Sequence, residues 1–232
     1  MAEPALSVIV PTLDEAAGIT PHLAALAPLR AAGVQLIVVD GGSRDGTRAR
    51  AHPLADTVLT APRGRARQMN AGAVHARGDI LLFLHADTRL PDNALPAIRE
   101  AIASGRVWGR FDVRIVGHSR LLPAVAALMN LRSRLTGIAT GDQAIFVRRT
   151  DFDALGGFPD IPLMEDIVLS RRLKARGRPA CLGLRVLTSG RRWEQRGVVR
   201  TILTMWWLRL RFFLGASPTR LARDYGYAAD ES

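Results

Sequence analysis

The sequence predicts an α/β fold with a mainly parallel central sheet flanked by helices. Short unbroken apolar runs at residues 6–10, 36–39 and 80–84 have the length and composition of strands buried on both faces. Alanine-rich stretches of helical length separate them, as expected for parallel strands joined by crossover helices. Hydrophobic residues make up 48% of the 232, enough for a sizeable core.

Taken in order, the first run stops at Pro11 and passes into PTLDE, residues 11–15. Residues 21–32 read as a helix with Thr20 as N-cap and Pro21 in its first position. The second run ends at Asp40 and a Gly-Gly turn within VVDGGSRDGT, residues 38–47, and residues 65–76 read as a helix. The third run leads directly into His85, Ala86 and Asp87. Beyond it, WGRFDVRI at 108–115 alternates like a half-exposed strand, and 121–135 is helical. Residues 143–147 form an apolar strand, and 165–176 an amphipathic helix ending at Gly177. With no repeat and no low-complexity linker, a single domain over 1–232 is expected.

Charge narrows the function. The net charge is +11, yet residues 171–223 hold 14 Lys or Arg against one acid, Glu194, so the excess lies in the last quarter. A basic balance raises nucleic acid as a partner. Aromatics at 6% and acids at the strand ends argue against it, and no nucleic acid is expected. Cys181 is the only cysteine, which excludes an internal disulfide and suits a reducing compartment. The opening residues lack a basic stretch before their apolar run, so no secretory signal is expected. No stretch approaches the roughly 18 apolar residues of a membrane span. A cytoplasmic protein follows, with attachment to the cytoplasmic membrane face as the alternative.

Polar residues cluster just after the strands, where open α/β sheets bind ligands. Asp40 and the turn opened by Gly41 could hold ribose hydroxyls and phosphate, although an ordinary turn capped by Asp45 would read the same way. In PTLDE, Asp14 and Glu15 would lie beside Asp40 or simply cap a helix. RGRARQMNAGA, residues 63–73, places arginines including Arg67 where they could meet a diphosphate, or a plain solvated face. His85 and Asp87 are two apart and so share one face of an extended chain, a candidate site for a divalent cation, Mn or Mg. The plain alternative is a loop carboxylate and a capping histidine. Glu165 and Asp166 open a helix, where the dipole favours acids in any case.

Together SVIVPTLDE, VVDGGSRDGT, LLFLHADTRLP, GDQAIFVRR and GGFPDIPLMED, in this order, resemble a family 2 glycosyltransferase of the GT-A type, a nucleotide-sugar-binding fold. RGRARQMNAGA, LHADTRLP, TGIATGDQ and SGRRWE resemble one bacterial branch linked with arsenosugar biosynthesis. The resemblance covers about residues 6–193. It implies a nucleotide-diphosphate sugar donor, an acceptor of open identity, and inverting, metal-assisted single displacement. Pro11, Thr12, Asp14, Glu15, Asp40, Gly41, Arg67, His85, Ala86 and Asp87 would then serve the donor, with Asp87 and His85 on the cation. Asp166, with Glu165 beside it, would be the base. Gly141, Asp142, Gln143, Arg191, Arg192 and Trp193 would face the acceptor. Residues 1–115 would form the donor half, 116–196 the acceptor half and 197–232 a basic aromatic helical segment. The chain departs from the family pattern at Asp14, usually Asn, and at Gly41 and His85, usually acids.

Two other classes share parts of this pattern. A sugar nucleotidyltransferase would need a basic glycine-rich loop after the first strand, where PTLDE is acidic; a basic nucleic-acid-binding α/β protein would explain only the charge. Residues 198–214, VVRTILTMWWLRLRFFL, are either a core-packing helix whose arginines reach solvent or an interfacial helix making a peripheral membrane contact.

Overall fold

The computed structural model describes residues 5–227, so the ends of the expected 1–232 span, 1–4 and 228–232, lie outside the described residues. The strands are β1 (Leu6–Thr12), β2 (Gln35–Asp40), β3 (Thr57–Thr60), β4 (Ile80–Phe83), β5 (Thr88–Arg89), β6 (Trp108–Val116), β7 (Ile145–Arg148) and β8 (Ala180–Ser189). They form one sheet in the order β3-β2-β1-β4-β7-β6-β8-β5. The first four are mutually parallel. Beyond β4 the sheet becomes mixed: β7 runs antiparallel to β4 and β6, β8 is parallel to β6, and β5 is antiparallel to β8.

The three apolar runs are β1, β2 and β4, and their residues are buried nearly throughout because helices cover both faces. The helix Arg65–Val74 approaches the sheet very closely. A Cβ at Gly72 would lie 2.5 Å from Ile9 Cγ2 and 3.0 Å from Val39 Cγ2, so only glycine permits this packing. The stretch expected as one helix over 21–32 is instead two, Ile19–Ala24 and Ala27–Ala31. The first begins before Thr20, with Gly18 at its N-cap. Pro28 sits in the first turn of the second, where its missing N–H does no harm.

The second half follows the expectation in outline. β6 is not half-exposed at first: Trp108 to Phe111 are fully buried between β7 and β8, and alternation begins only at Asp112. The helix Leu122–Thr136 is fastened to β6 by Asn130, whose Oδ1 accepts from Val113 N–H at 2.8 Å and whose Nδ2 donates to Val113 O at 3.0 Å. The expected strand at 143–147 starts later, because residues Gly141–Gln143 form a 3-10 turn. β3, β5, β8 and the helix Pro218–Tyr225 had no separate sequence signal.

The basic tail forms the helices Val198–Phe213 and Pro218–Tyr225. Leu208 and Leu221 from these helices bury against Leu163, Met164 and Ile167, a small separate core that joins the tail to the segment carrying Glu165 and Asp166. The segment is therefore core-packing on one face. Its other face leaves Leu203 65%, Trp206 68% and Trp207 58% exposed.

Candidate active site

The carboxyl ends of β1, β2 and β4 lie side by side, so the loops after them converge. The loops after β1 and β2 are laced together. Asp14 N–H donates to Ser43 Oγ at 2.9 Å, Glu15 N–H to Thr47 Oγ1 at 2.8 Å and Ala16 N–H to Asp45 Oδ2 at 2.9 Å. In return Arg44 N–H donates to Asp14 Oδ1 at 2.9 Å. Asp14 has φ of +52°, a left-handed conformation that Asp and Asn tolerate best, which explains a short polar side chain there.

Asp40 is turned to structural use. It is buried, accepts from the N–H groups of Gly42 and Ser43 at 3.0 and 2.9 Å, and also accepts from Ser43 Oγ. Asp14, Asp40 and Gly41 do not line either cavity described below. The space beside Gly41 is taken by Gln68, whose amide lies 3.1 Å from a Cβ built on Gly41. Gln68 Nε2 donates to Thr12 O and Val39 O at 2.8 and 2.9 Å, tying β1 to β2 from the neighbouring helix. A side chain on residue 41 would therefore collide with this brace.

His85 and Asp87 do not share one face of an extended strand, because β4 ends at Phe83 and the chain turns. His85 is buried and its Nδ1 lies 3.3 Å from Asp142 Oδ1, while Asp87 is exposed. The other ring nitrogen, Nε2, is 2.4 Å from a Cβ built on Gly141, so the imidazole is pressed against the 141–143 turn. No group of three or more His, Cys, Asp or Glu suited to a metal occurs among the described residues.

Two cavities meet at this point. One, about 540 Å³, is lined by Pro11, Thr12, Glu15, Ala86 and the arginines Arg63, Arg65, Arg67, Arg192 and Arg223. Arg67 Nε also pairs with Asp160 at 2.8 Å across its rim. The other, about 640 Å³, is walled by the helices Leu122–Thr136 and Val198–Phe213 and floored by Gly141, Asp142, Glu165 and Asp166. Arg65, His85, Asp87, Arg192 and Tyr227 border both.

The acids at the junction are differently tuned. Burial works to raise Asp142, but its hydrogen bond and charge contact with His85, then Arg65 and Arg192, bring it down to about 2. Glu165 is pushed up to about 7, by burial first and then by the adjacent Asp166 carboxylate. Asp166 accepts from Gly141 N–H at 2.8 Å and from Ile167 N–H at 2.7 Å, so it is fixed at the helix N-terminus while facing the second cavity. Arg65 is buried against its charge, but Tyr227 and the acids Glu165, Asp142 and Asp166 raise its pKa overall.

Three non-glycine residues have left-handed backbones among the described residues: Asp14, Ala144 and Met164. Each adjoins a segment of this site, where strain of about 1–3 kcal/mol is held by the surrounding structure.

Some sequence expectations move. Gln143 is buried and braces its own turn, accepting from Thr140 N–H at 3.2 Å, so it faces neither cavity. Arg191 reaches to within 3.8 Å of Glu15, on the side expected for the donor rather than the acceptor. Trp193 lines the second cavity, and Arg192 lines both. The sequence reading offered Arg65 only within the arginine-rich 63–73 stretch, Arg132 only as a basic residue of the 121–135 helix and Arg209 only as a headgroup contact; it did not single out Gln68, Arg223 or Tyr227.

An arginine-lined cavity at the carboxyl ends of parallel strands adjoins a second cavity, in a mixed α/β fold of the GT-A type. The fold matches solved examples. A Pyrobaculum calidifontis mannosyltransferase in complex with GDP-Man and Mn2+ aligns at TM-score 0.62 and 23% identity, covering 80% of this chain and 57% of that one. The glucosyl-3-phosphoglycerate synthase of Mycobacterium tuberculosis, in complex with Mn2+, UDP and glucosyl-3-phosphoglycerate, aligns at 0.59 and 22%, covering 78% and 70%. An uncharacterized glycosyltransferase of Mycobacterium tuberculosis is 31% identical over 166 residues, 67% of this chain and 63% of its own length. The chain thus spans less than two thirds of that curated relative. The model of glycosyl transferase family 2 matches residues 7–151, and the chain belongs to that family. These matches speak to the family and not to the bacterial branch within it.

Proposed function

We propose that the protein transfers a sugar from a nucleotide-diphosphate donor to an acceptor hydroxyl, with inversion at the anomeric carbon. The observation that carries this reading is the junction itself. An arginine-rich cavity adjoins a cavity bearing Asp166 and Glu165, and His85 and Asp87 stand between them.

The first cavity is the donor half. Pro11, Thr12 and Glu15 line the nucleoside end, and Arg63, Arg65 and Arg67 stand at the N-terminus of the Arg65–Val74 helix. Arg67 is paired with Asp160, and with Arg63 and Arg65 it makes this helix end, which has no acid in its first turn, a favourable place for an anion. A diphosphate supplies that anion. Asp87, exposed at the junction of the two cavities, would hold a divalent cation such as Mg2+ or Mn2+ through its one carboxylate. When bound, such a cation neutralises charge developing on the leaving diphosphate. His85 Nδ1 holds Asp142, while Nε2 lies against Gly141.

In the transfer, the acceptor oxygen forms a bond to the anomeric carbon as the bond to the diphosphate oxygen breaks. Asp166 accepts the hydroxyl proton, and Arg65 and Arg192 at the junction stabilise the departing charge. Glu165, raised to about 7 by burial and by the adjacent Asp166, holds its proton well above the ordinary carboxylate range. The exposed face of the Val198–Phe213 helix, Leu203, Trp206, Trp207, Leu210 and Phe213, supports peripheral contact with an anionic bilayer, since it adjoins the most basic part of the chain. No helix among the described residues is long and apolar enough to cross a membrane.

A melting-temperature screen of UDP-, GDP- and dTDP-sugars, with and without Mn2+, tests the donor assignment. A rise with one nucleotide class supports it; no shift and no hydrolysis with any of them overturns it.

A further inference from the structure

The second cavity contains charge that the transfer chemistry leaves unused. Arg132, on the helix Leu122–Thr136, and Arg209, on the helix Val198–Phe213, both line it. Nε and Nη2 of Arg132 and Nε of Arg209 are buried with no hydrogen-bond partner among the described residues. Burial, then the neighbouring Arg209 charge, draws Arg132 down to about 10; burial also lowers Arg209. The carboxylates of Asp166 and Asp142 favour both charges through space. Asp166, however, is hydrogen-bonded to Gly141 and Ile167, and Asp142 is paired with His85. Two like charges are thus held together in a poorly solvated place with N–H groups lacking acceptors, an arrangement that is unfavourable until an anion arrives.

The walls around this pair are apolar. Leu128, Leu131 and Leu135 face Met205 and Trp206 across the cavity, and Leu128, Leu135 and Trp206 are 60%, 77% and 68% exposed, so the apolar lining runs out to the surface. A small soluble anion would leave that lining wet, whereas an aliphatic chain would cover it.

We propose that Arg132 and Arg209 bind the phosphate of an amphiphilic acceptor, whose aliphatic chain lies along the Leu122–Thr136 and Val198–Phe213 helices. This assignment rests on the glycosyl-transfer reading above and specifies its acceptor. Guanidinium groups suit phosphate because their planar N–H forks match its oxygens. Seated there, the phosphate brings a neighbouring hydroxyl of the same head group toward Asp166.

Three probes below their micellar concentration test it by calorimetry: decyl phosphate, inorganic phosphate and decyl maltoside. Decyl phosphate is expected to bind at least 10-fold more tightly than decyl maltoside and about 100-fold more tightly than inorganic phosphate. Arg132→Gln and Arg209→Gln should each weaken decyl phosphate at least 10-fold and leave decyl maltoside unchanged, with Arg209→Lys retaining part of the affinity. Equal binding of decyl maltoside would reduce the site to an apolar groove and overturn the proposal. Equal binding of inorganic phosphate would make the ligand a soluble anion and overturn it too, as would unaltered binding by both Gln variants. The probe comparison needs no variant and stands even if one misfolds. Titration of sugar nucleotides on the same protein reads the donor side separately: failure there strikes the transferase reading, and failure with decyl phosphate alone strikes only the acceptor.

Discussion

His85 Nδ1 lies 3.3 Å from Asp142 Oδ1, joining the end of β4 to the turn before β7. The contact is tight on its other side as well, where Gly141 leaves no room for a side chain beside Nε2. Gly141→Ala should therefore displace the imidazole and destabilise the protein by about 1–3 kcal/mol, as overpacking does. His85→Ala should raise the Asp142 pKa from about 2 toward its ordinary value of 3.8, readable by carboxylate NMR titration. Stability from this contact is present above pH 3.8 and fades as pH falls toward 2 in the parent. A parent and variant with the same acid-denaturation profile would show that the pair contributes nothing.

Asp87 is exposed at the junction of the two cavities, so its removal should spare the fold. Asp87→Ala is expected to keep the parent melting temperature while losing Mn2+-dependent nucleotide binding. Nucleotide affinity that still rises with Mn2+ as in the parent would move the cation site elsewhere.

Glu165 and Asp166 should separate by pH and by kinetics. Folded Glu165 keeps its proton up to about pH 7, against an ordinary value of 4.5, so the folded state binds more protons across that window and stability falls as pH rises through it. Glu165→Gln should accordingly be more stable than the parent at pH 8, by roughly 3 kcal/mol at most, and equally stable at pH 4, as read by denaturant unfolding. Asp166→Asn should lower transfer by about 10²-fold with donor binding retained. Because an amide nitrogen cannot accept from Gly141 or Ile167, its melting temperature must be read alongside. Near-parent turnover in a folded Asp166→Asn protein would assign the base to Glu165.

The exposed face of the Val198–Phe213 helix should carry the protein down with phosphatidylglycerol vesicles at low salt. Added salt should weaken the association, and phosphatidylcholine vesicles should not support it. The paired change Leu203→Ser and Trp207→Ser removes apolar area outside the second cavity and should lower the bound fraction several-fold. A protein that stays in the supernatant with phosphatidylglycerol has no such membrane contact.

The sequence by itself determined the parallel half of the sheet and the position of the site. β1, β2 and β4 are continuous apolar runs because helices cover both of their faces, a pattern visible without coordinates. The polar residues after them gather at one sheet edge, where Pro11, Thr12, Glu15 and Asp87 line the first cavity and Asp166, from a later helix, lines the second. What only the tertiary structure decided was the partner of each side chain. Asp40 looked like a ligand-binding acid, but Gly42 and Ser43 occupy its oxygens. Gly41 looked like a phosphate turn, but it is small because Gln68, far along the chain, fills the space next to it. His85 is two residues from Asp87 in sequence, but the strand ends early, so the two do not share a strand face, and Asp142 from the other half meets its Nδ1. Arg132 and Arg209 showed in the sequence only as charge, because their meeting depends on two helices distant in the chain lining one cavity. Periodicity and strand ends are local properties written into consecutive residues, whereas desolvation and hydrogen-bond partners depend on contacts between distant segments, which no single stretch of sequence contains.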